Sequence, residues 1–208
     1  MYDKAAKTTI SKKGKTMVNR FSKIIISIMT IIFITNLFLS KEYNLLWIVL
    51  TGGGVIVDYF GTSYTTVFED FQIYRLITYG YTQTAIWHLL ANALSLWYVG
   101  RYIESRIGIK KFAILYHIGL VVAGVVIFVI CPNSVNYGAS PAIFVCLGLL
   151  ANWLVRDKDL WHEYKTQKGF YFLMCYFVLS NFLGLNTLAI HALGFCTGFI
   201  LGYVIKKL

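Results

Sequence analysis

Long apolar runs separated by short polar segments are the main pattern along this chain. Six of them, called spans 1 to 6 in chain order, lie near residues 24–39, 85–103, 112–131, 139–155, 169–186 and 187–205. Most approach the length that an α-helix, rising about 1.5 Å per residue, needs to cross a hydrocarbon core of about 30 Å. The pattern predicts an all-α polytopic membrane protein, built as a six-transmembrane-helix bundle.

A seventh apolar stretch lies between spans 1 and 2, in a segment that covers about residues 41–84. It reads LLWIVLTGGGVIVDYF at 45–60 and is interrupted by three consecutive glycines and an aspartate. Irregular backbone finds no hydrogen-bond partners in lipid, so this stretch needs partners from the protein or from water. We expect a partly embedded loop, called loop one, within a single membrane domain of residues 24–208.

Composition and charge agree with a membrane protein of defined orientation. Hydrophobic residues make up 58% of the 208 residues and charged residues 13%, which excludes a water-soluble domain. If the N-terminus lies inside, 17 of the 19 lysines and arginines fall on the inner side, and only Lys41 and Arg75 lie outside. This asymmetry follows the positive-inside rule and predicts that both termini are cytoplasmic.

The basic segment 1–23 contributes strongly to the net charge of +10. Its position before span 1 favours a cytoplasmic tail that contacts anionic lipid headgroups, so we expect the lipid bilayer and no nucleic acid as a partner. The segment resembles neither a cleavable signal peptide nor a serine-rich transit peptide. We therefore expect a multi-pass protein of the cell (plasma) membrane, and the compact six-span form is typical of bacteria.

Four polar residues lie at a similar depth in three different spans. His88 lies near the outer start of span 2, Ser140 near that of span 4 and His191 near that of span 6. Asn92 follows His88 by four residues and shares its helical face. Because polar side chains are costly in hydrocarbon, this shared layer indicates a functional interior.

Glycines in span 6 predict the direction in which His191 points. Gly194, Gly198 and Gly202 recur at four-residue spacing and form a stripe that allows another helix to approach closely. His191 shares the face of this stripe. If the neighbouring helix is span 4, the imidazole meets the Ser140 hydroxyl and can act on it as a general base.

Each polar residue also has a purely structural interpretation. Ser140 would serve as an ordinary helix cap. The histidines His88 and His191 would be satisfied by hydrogen bonds between helices, and Asn92 would hold two helices together. Only the combination of these residues in one layer favours a catalytic site over these readings.

The remaining candidate groups show no pattern of this kind. His117 in the middle of span 3 is expected to be structural, and His162 belongs to a solvated cytoplasmic segment. The cysteines have no metal-type spacing and predict neither a zinc site nor a disulfide framework: Cys131, Cys146, Cys175 and Cys196. We expect no metal and no cofactor.

Three motifs in chain order resemble the rhomboid family of intramembrane serine proteases. HLLAN at 88–92 is similar to the family's His-x-x-x-Asn, and GAS at 138–140 is similar to the start of its Gly-x-Ser-x motif. HALGFCTG at 191–198 is similar to its His-x-x-Gly-x-x-x-Gly. Because the three occur together and in order, the match is far more specific than any one motif.

The resemblance covers about residues 70–205 and includes supporting positions. Tyr74 and Arg75 look like the Trp-Arg pair of the family's first extramembrane loop, and Glu104 matches an acidic position at the inner end of span 2. Gly138 matches the first glycine of the serine motif. Phe144 occupies the position where the family often places an aromatic ring against the catalytic histidine.

The resemblance implies a function and a role for each matched residue. Ser140 is expected to be the nucleophile and His191 the general base, as a dyad that hydrolyses a peptide bond in single-span membrane proteins. His88 and Asn92 are expected to donate to the oxyanion together with the backbone N–H of Ser140. The loop-one acids Asp58, Glu69 and Asp70 lie on the same side and stay open as a third group.

Pro141 is the main departure from the family's pattern, which usually has glycine there. Proline suits the first turn of a helix but removes a backbone donor from the vicinity of the oxyanion. One alternative is therefore a catalytically inactive rhomboid-like protein that binds membrane segments. A weaker one is a small transporter, which would need paired intramembrane charges that the sequence lacks.

Overall fold

The computed structural model describes residues 20–205, and all of their regular secondary structure is helical. Its α-helices are α1 (Arg20–Leu39), α2 (Leu45–Thr51), α3 (Ile56–Phe60), α4 (Arg75–Thr78), α5 (Ile86–Ser95), α6 (Arg101–Ile107), α7 (Ile109–Ile130), α8 (Ser140–Arg156), α9 (Lys158–Tyr164), α10 (Phe170–Leu179) and α11 (Leu185–Leu201). The predicted all-α class is thus confirmed. Most of the predicted tail, residues 1–19, lies outside the described residues, and its last four residues already belong to α1.

Each predicted span corresponds to a helix or to a pair of helices. Span 2 consists of α5 and α6, joined by a π-helical turn at Leu96–Gly100, and α10 continues into a 3₁₀ turn at Ser180–Leu183. By length and composition, only α1 and α7 among the described helices are long and apolar enough to cross a membrane. The helices α8 and α11 and the α10 segment are apolar but shorter.

Helix α8 forms the centre of the bundle. Its residues from Pro141 to Leu150 are all buried, and it packs against α7 on one side and α11 on another. The outward faces of the surrounding helices instead expose large apolar side chains, such as Phe38 at 73% and Val129 at 83%. Apolar exterior faces around a fully packed interior helix are typical of a protein whose surroundings are lipid.

Loop one, expected from the sequence to be irregular, contains the short helices α2, α3 and α4, and is tied to α1. The Asn36 side chain donates to Gly53 O at 2.8 Å and accepts from Ile56 N at 3.0 Å. Ser40 Oγ accepts from Val55 N at 3.0 Å. These bonds supply the partners that irregular backbone requires in a membrane. All three glycines at 52–54 have a positive φ, a conformation that glycine adopts more readily than other residues.

Arg75 holds the far end of loop one. Its guanidinium is 7% exposed and donates from Nη1 to Gly61 O and from Nη2 to Asp58 O, both at 2.7 Å. Tyr74, by contrast, is 52% exposed, and its hydroxyl contacts Gln72 at 3.2 Å. Arg75 therefore binds one carbonyl within α3 and one directly after it, and ties this part of loop one to α4.

The N-terminus of α1 is held by Glu104 of α6. This carboxylate is 1% exposed and accepts from the backbone N–H of Arg20 at 2.9 Å, of Phe21 at 3.1 Å and of Ser22 at 3.3 Å. The first N–H groups of a helix have no partner within the helix, and a negative charge beside them also interacts favourably with the helix dipole. Glu104 therefore joins α1 to the rest of the bundle.

We expect Glu104→Gln to lower the free energy of unfolding by about 1–3 kcal/mol, because buried donors lose a charged acceptor. The matched control is Glu163→Gln, since the Glu163 side chain is 52% exposed and only forms a surface ion pair with Arg106. That control should cost less than about 1 kcal/mol. Reversible unfolding in mixed detergent micelles measures both values, and equal losses would contradict the capping role.

Candidate active site

A cleft of about 620 Å³ opens between α5, α8, α10 and α11. Ser140, His191, His88 and Asn92 all line it, so the four residues of the predicted polar layer face one shared space. None of the loop-one acids Asp58, Glu69 and Asp70 contributes to its lining. The arrangement can therefore offer a hydroxyl, two imidazoles and an amide to a molecule in the cleft, but no carboxylate.

Ser140 lies at the N-terminus of α8 as its first helical residue. The N-cap is Ala139, and no side-chain hydrogen bond caps this helix, so the interpretation of Ser140 as an ordinary helix cap is wrong by one position. Pro141 is the second residue, where its missing N–H would have no helical partner. As a result, the Ser140 hydroxyl is not used as a cap, and the residue is half-buried and lines the cleft.

Gly138 shapes the backbone just before the serine. Its φ is +122°, a region that favours glycine, and its N–H donates to Tyr79 O at 2.8 Å. A Cβ at this position would lie 2.8 Å from Cε1 of His88. The absence of a side chain at Gly138 therefore lets the His88 ring lie directly against the turn that presents Ser140.

His191 is buried on α11, with 1% of its surface exposed. Its ring stacks on Phe144, with ring centroids 4.0 Å apart and planes 9° apart. Nδ1 lies 3.0 Å from Asn181 Oδ1, whereas Nε2 is buried and has no hydrogen-bond partner among residues 20–205. No hydrogen bond joins His191 to Ser140 here, although such bonds often form fully only when substrate is bound.

Asn92 is held in place from two sides. Its Nδ2 donates to Gln83 Oε1 at 2.8 Å, and its Oδ1 accepts from the Tyr176 hydroxyl at 2.8 Å. The bond to Gln83 uses one of the two N–H donors of the amide, and Asn92 also lines the cleft. Through its oxygen, Asn92 joins α5 to Tyr176 of α10. This structural role leaves a second N–H of the same amide available as a donor.

Three polar residues at the site were missed by sequence reasoning: Gln83, Tyr176 and Asn181. Tyr176 is separated from Asn92 by 84 positions and Asn181 from His191 by ten. Neither helical nor motif spacing relates these partners. Only Gln83, nine positions before Asn92 in a polar segment, could have been noticed as a polar residue close to span 2.

The other histidines lie outside the cleft. His117 on α7 hydrogen-bonds the Tyr81 hydroxyl through Nε2 at 2.8 Å, and His162 is exposed on α9. Within residues 20–205, no group of three or more His, Cys, Asp or Glu side chains is placed to hold a metal ion.

The glycines of α11 face α8. A Cβ on Gly194 would lie 2.6 Å from Pro141 O, and one on Gly198 would collide with the Val145 carbonyl. Gly202 meets the side chain of Asn152 in the same way. At Gly194 and Gly198, therefore, no side chain separates the two backbones that carry Ser140 and His191.

Comparison with known proteins gives independent information. A family model described as Rhomboid domain matches residues 70–208. RHOMBOID-like protein 7 of Arabidopsis thaliana is 28% identical over 144 residues, which cover 64% of this chain and 43% of that protein. Rhomboid protease GluP of Bacillus subtilis (strain 168) is 30% identical over 120 residues, covering 56% of this chain and 24% of that protein.

A third relative bears a different name. Inactive RHOMBOID-like protein 8 of Arabidopsis thaliana is 24% identical over 103 residues, which cover 50% of this chain and 29% of that protein. The chain spans less than half the length of each of these three curated relatives. Similarity thus extends both to a protein named as a protease and to one named as inactive.

We expect Gly198→Leu to separate α8 from α11 and to disturb the cleft without altering a residue that lines it, because the added side chain would meet the backbone of α8. The matched control Cys196→Leu adds a similar side chain on an exposed position of the same helix. Gly198→Leu should lower the melting temperature by several degrees, since overpacking costs about 1–3 kcal/mol, and the control should not. Unchanged melting of both variants would mean that the helices are not in close contact.

Proposed function

Because the rhomboid domain model matches more than half of it, this chain belongs to the rhomboid family, and we propose that it is an active intramembrane serine endopeptidase. The resemblance expected from its motifs is thereby confirmed, and family membership makes it a membrane-embedded protein of intramembrane-protease type. The catalytic residues, the substrates and the orientation are our proposal. The protease activity itself is also part of the proposal, because the chain matches less than half the length of these relatives.

One observation carries the proposal: Ser140 lines the same cleft as His191, whose Nε2 is buried and has no hydrogen-bond partner in the described part of the chain. An unpaired buried polar atom costs free energy, and in a cleft a ligand or a reacting group can supply the missing partner. The Ser140 hydroxyl, which caps no helix, can donate a hydrogen bond. The Nε2 of His191, which has no partner among residues 20–205, can accept one. In the proposed reaction, the hydroxyl and the imidazole nitrogen meet when substrate is bound.

In the proposed reaction, Ser140 Oγ attacks the carbonyl carbon of the scissile peptide bond while His191 Nε2 takes the hydroxyl proton. The negative charge that forms on the carbonyl oxygen is stabilised by N–H donors of His88, of Asn92 and of the Ser140 backbone. His191 then returns the proton to the leaving amine. Water, deprotonated by the same nitrogen, hydrolyses the acyl-enzyme and regenerates Ser140.

The proposed setting is a bilayer crossed six times, with both termini cytoplasmic. The positions of the lysines and arginines support this orientation. The cleft would then open on the outer side, where a locally unwound segment of a single-span membrane protein could enter. A bacterial plasma membrane is part of the proposal, and the relatives named above come from a plant and from a bacterium.

The second candidate function is a rhomboid-like protein that binds membrane segments without cleaving them. Pro141 and the relative named as inactive favour it. Against it stands the retention of both proposed catalytic residues and both proposed oxyanion side chains. Pro141 also occupies a first-turn position where its fixed φ suits the helix and where no hydrogen bond is lost.

Cleavage of a generic single-span substrate by the purified protein tests the proposal. We expect Ser140→Ala and His191→Ala each to abolish cleavage, because nucleophile and base act as one unit. Asn92→Ala should keep measurable activity, lowered about 100-fold or more, because one of several oxyanion donors is lost. His162→Ala, an exposed histidine on α9, is the matched control and should cleave at the wild-type rate.

Cleavage by Ser140→Ala at the wild-type rate would refute the assignment of Ser140 as the nucleophile. If the wild-type protein binds the substrate and does not cleave it, the second candidate function takes the place of the first.

A further inference from the structure

Asn181 lies at the end of α10 and contacts two different parts of the bundle. It belongs to the 3₁₀ turn Ser180–Leu183, which continues α10 toward α11. Its Oδ1 is 3.0 Å from His191 Nδ1, and its Nδ2 donates to Phe177 O at 2.6 Å. The amide therefore connects the helix that closes one side of the cleft with the proposed general base.

The contact with Phe177 determines which way the amide is turned. A backbone carbonyl only accepts hydrogen bonds, so the atom of Asn181 that faces it must be the NH₂ group. In the flipped orientation two oxygens would face each other at hydrogen-bond distance, which is repulsive. The oxygen of the Asn181 amide therefore faces His191.

This orientation in turn determines the tautomer of the imidazole. Oδ1 of an amide can only accept, so a hydrogen bond to it requires a proton on Nδ1 of His191. In the neutral ring the lone pair then resides on Nε2, the buried atom that has no partner among residues 20–205. That lone pair is the one a general base facing Ser140 needs.

Two contacts together leave the ring little freedom. Stacking on Phe144 at 4.0 Å fixes the plane of the imidazole, but stacking alone permits rotation within that plane. The bond to Asn181 fixes which edge of the ring faces the cleft. Without the stacking on Phe144, the position of Nε2 would no longer be fixed. Without the bond to Asn181, the proton could lie on either ring nitrogen.

We propose that Asn181 is the positioning residue of the site, a neutral third member that holds His191 as the Nδ1–H tautomer through the hydrogen bond to its Oδ1. This inference rests on the proposed function, since it assigns a role relative to the general base. An amide in this position orients the ring without placing a further charge at membrane depth, where an ionised carboxylate would be costly. It also makes the geometry of the base depend on where α10 ends.

The first test measures the tautomer directly and requires no activity. Histidine labelled with ¹⁵N distinguishes protonated from unprotonated ring nitrogens by NMR, and the His191 signals are identified by their loss in His191→Phe. We expect a proton on Nδ1 of the neutral His191 ring in the wild-type protein. A proton on Nε2 with a bare Nδ1 would overturn the inference, whether or not the protein cleaves anything.

The second test removes the acceptor while keeping the side-chain size, with Asn181→Leu. We expect the His191 ring to lose its fixed Nδ1 protonation in the ¹⁵N spectrum, and kcat to fall about 10- to 100-fold with KM within about twofold, because misplacing a base affects chemistry more than binding. Phe182→Leu in the same turn is the matched control. Phe182 is 81% exposed, does not line the cleft and should leave both parameters unchanged.

The outcomes separate this inference from the proposed function. Wild-type kcat in Asn181→Leu, with active Phe182→Leu beside it, would overturn the positioning role while the Ser140 and His191 assignments stand. If Asn181→Leu does not fold, Asn181→Asp takes its place: it keeps an acceptor for Nδ1–H and should retain the Nδ1–H signal. Loss of that signal in a folded Asn181→Asp protein would overturn the inference.

Discussion

The close approach of α8 and α11 is the contact on which the rest of the site depends. Gly194 and Gly198 on one helix and Gly148 on the other leave no side chain between the two backbones, and a Cβ on any of them would meet a carbonyl of the neighbouring helix. In lipid, where the hydrophobic effect does not press helices together, such close packing is the main source of attraction between them. Because Ser140 and His191 are carried on these two helices, their relative height follows from this contact.

Burial of polar groups is the second constraint, and the protein meets it at several key positions by pairing. Glu104 binds the start of α1, Arg75 binds loop carbonyls, and Asn92 is held by residues from two other segments. Some buried side-chain atoms nevertheless have no hydrogen-bond partner among residues 20–205, such as the hydroxyls of Tyr102 and Tyr116 and the Nε2 of His191. Of these three residues, only His191 lines the cleft. The lack of a partner therefore points to chemistry only together with the position of His191 in the cleft beside Ser140.

The sequence is most informative where one periodicity or one motif decides the outcome. The apolar runs predict the long helices, and the four-residue glycine spacing predicts a face for close packing that the structure directs at α8. Asn181 and Tyr176 could not be predicted, because their partners are set by how α10 packs and not by any spacing along the chain. The interpretation of Ser140 as a helix cap is wrong by one position, because a serine before a proline fits a cap and a first helical residue almost equally well.

The central claim is that Ser140 is an activated nucleophile facing His191, and covalent labelling measures this most directly. A fluorophosphonate reacts with an activated serine, whose oxygen displaces fluoride, and intact-mass spectrometry with peptide mapping identifies the modified residue. The account predicts a single adduct on Ser140 in the wild-type protein and none in His191→Ala. An absence of labelling in the folded wild-type protein, or an adduct on another residue with Ser140 unmodified, would contradict it.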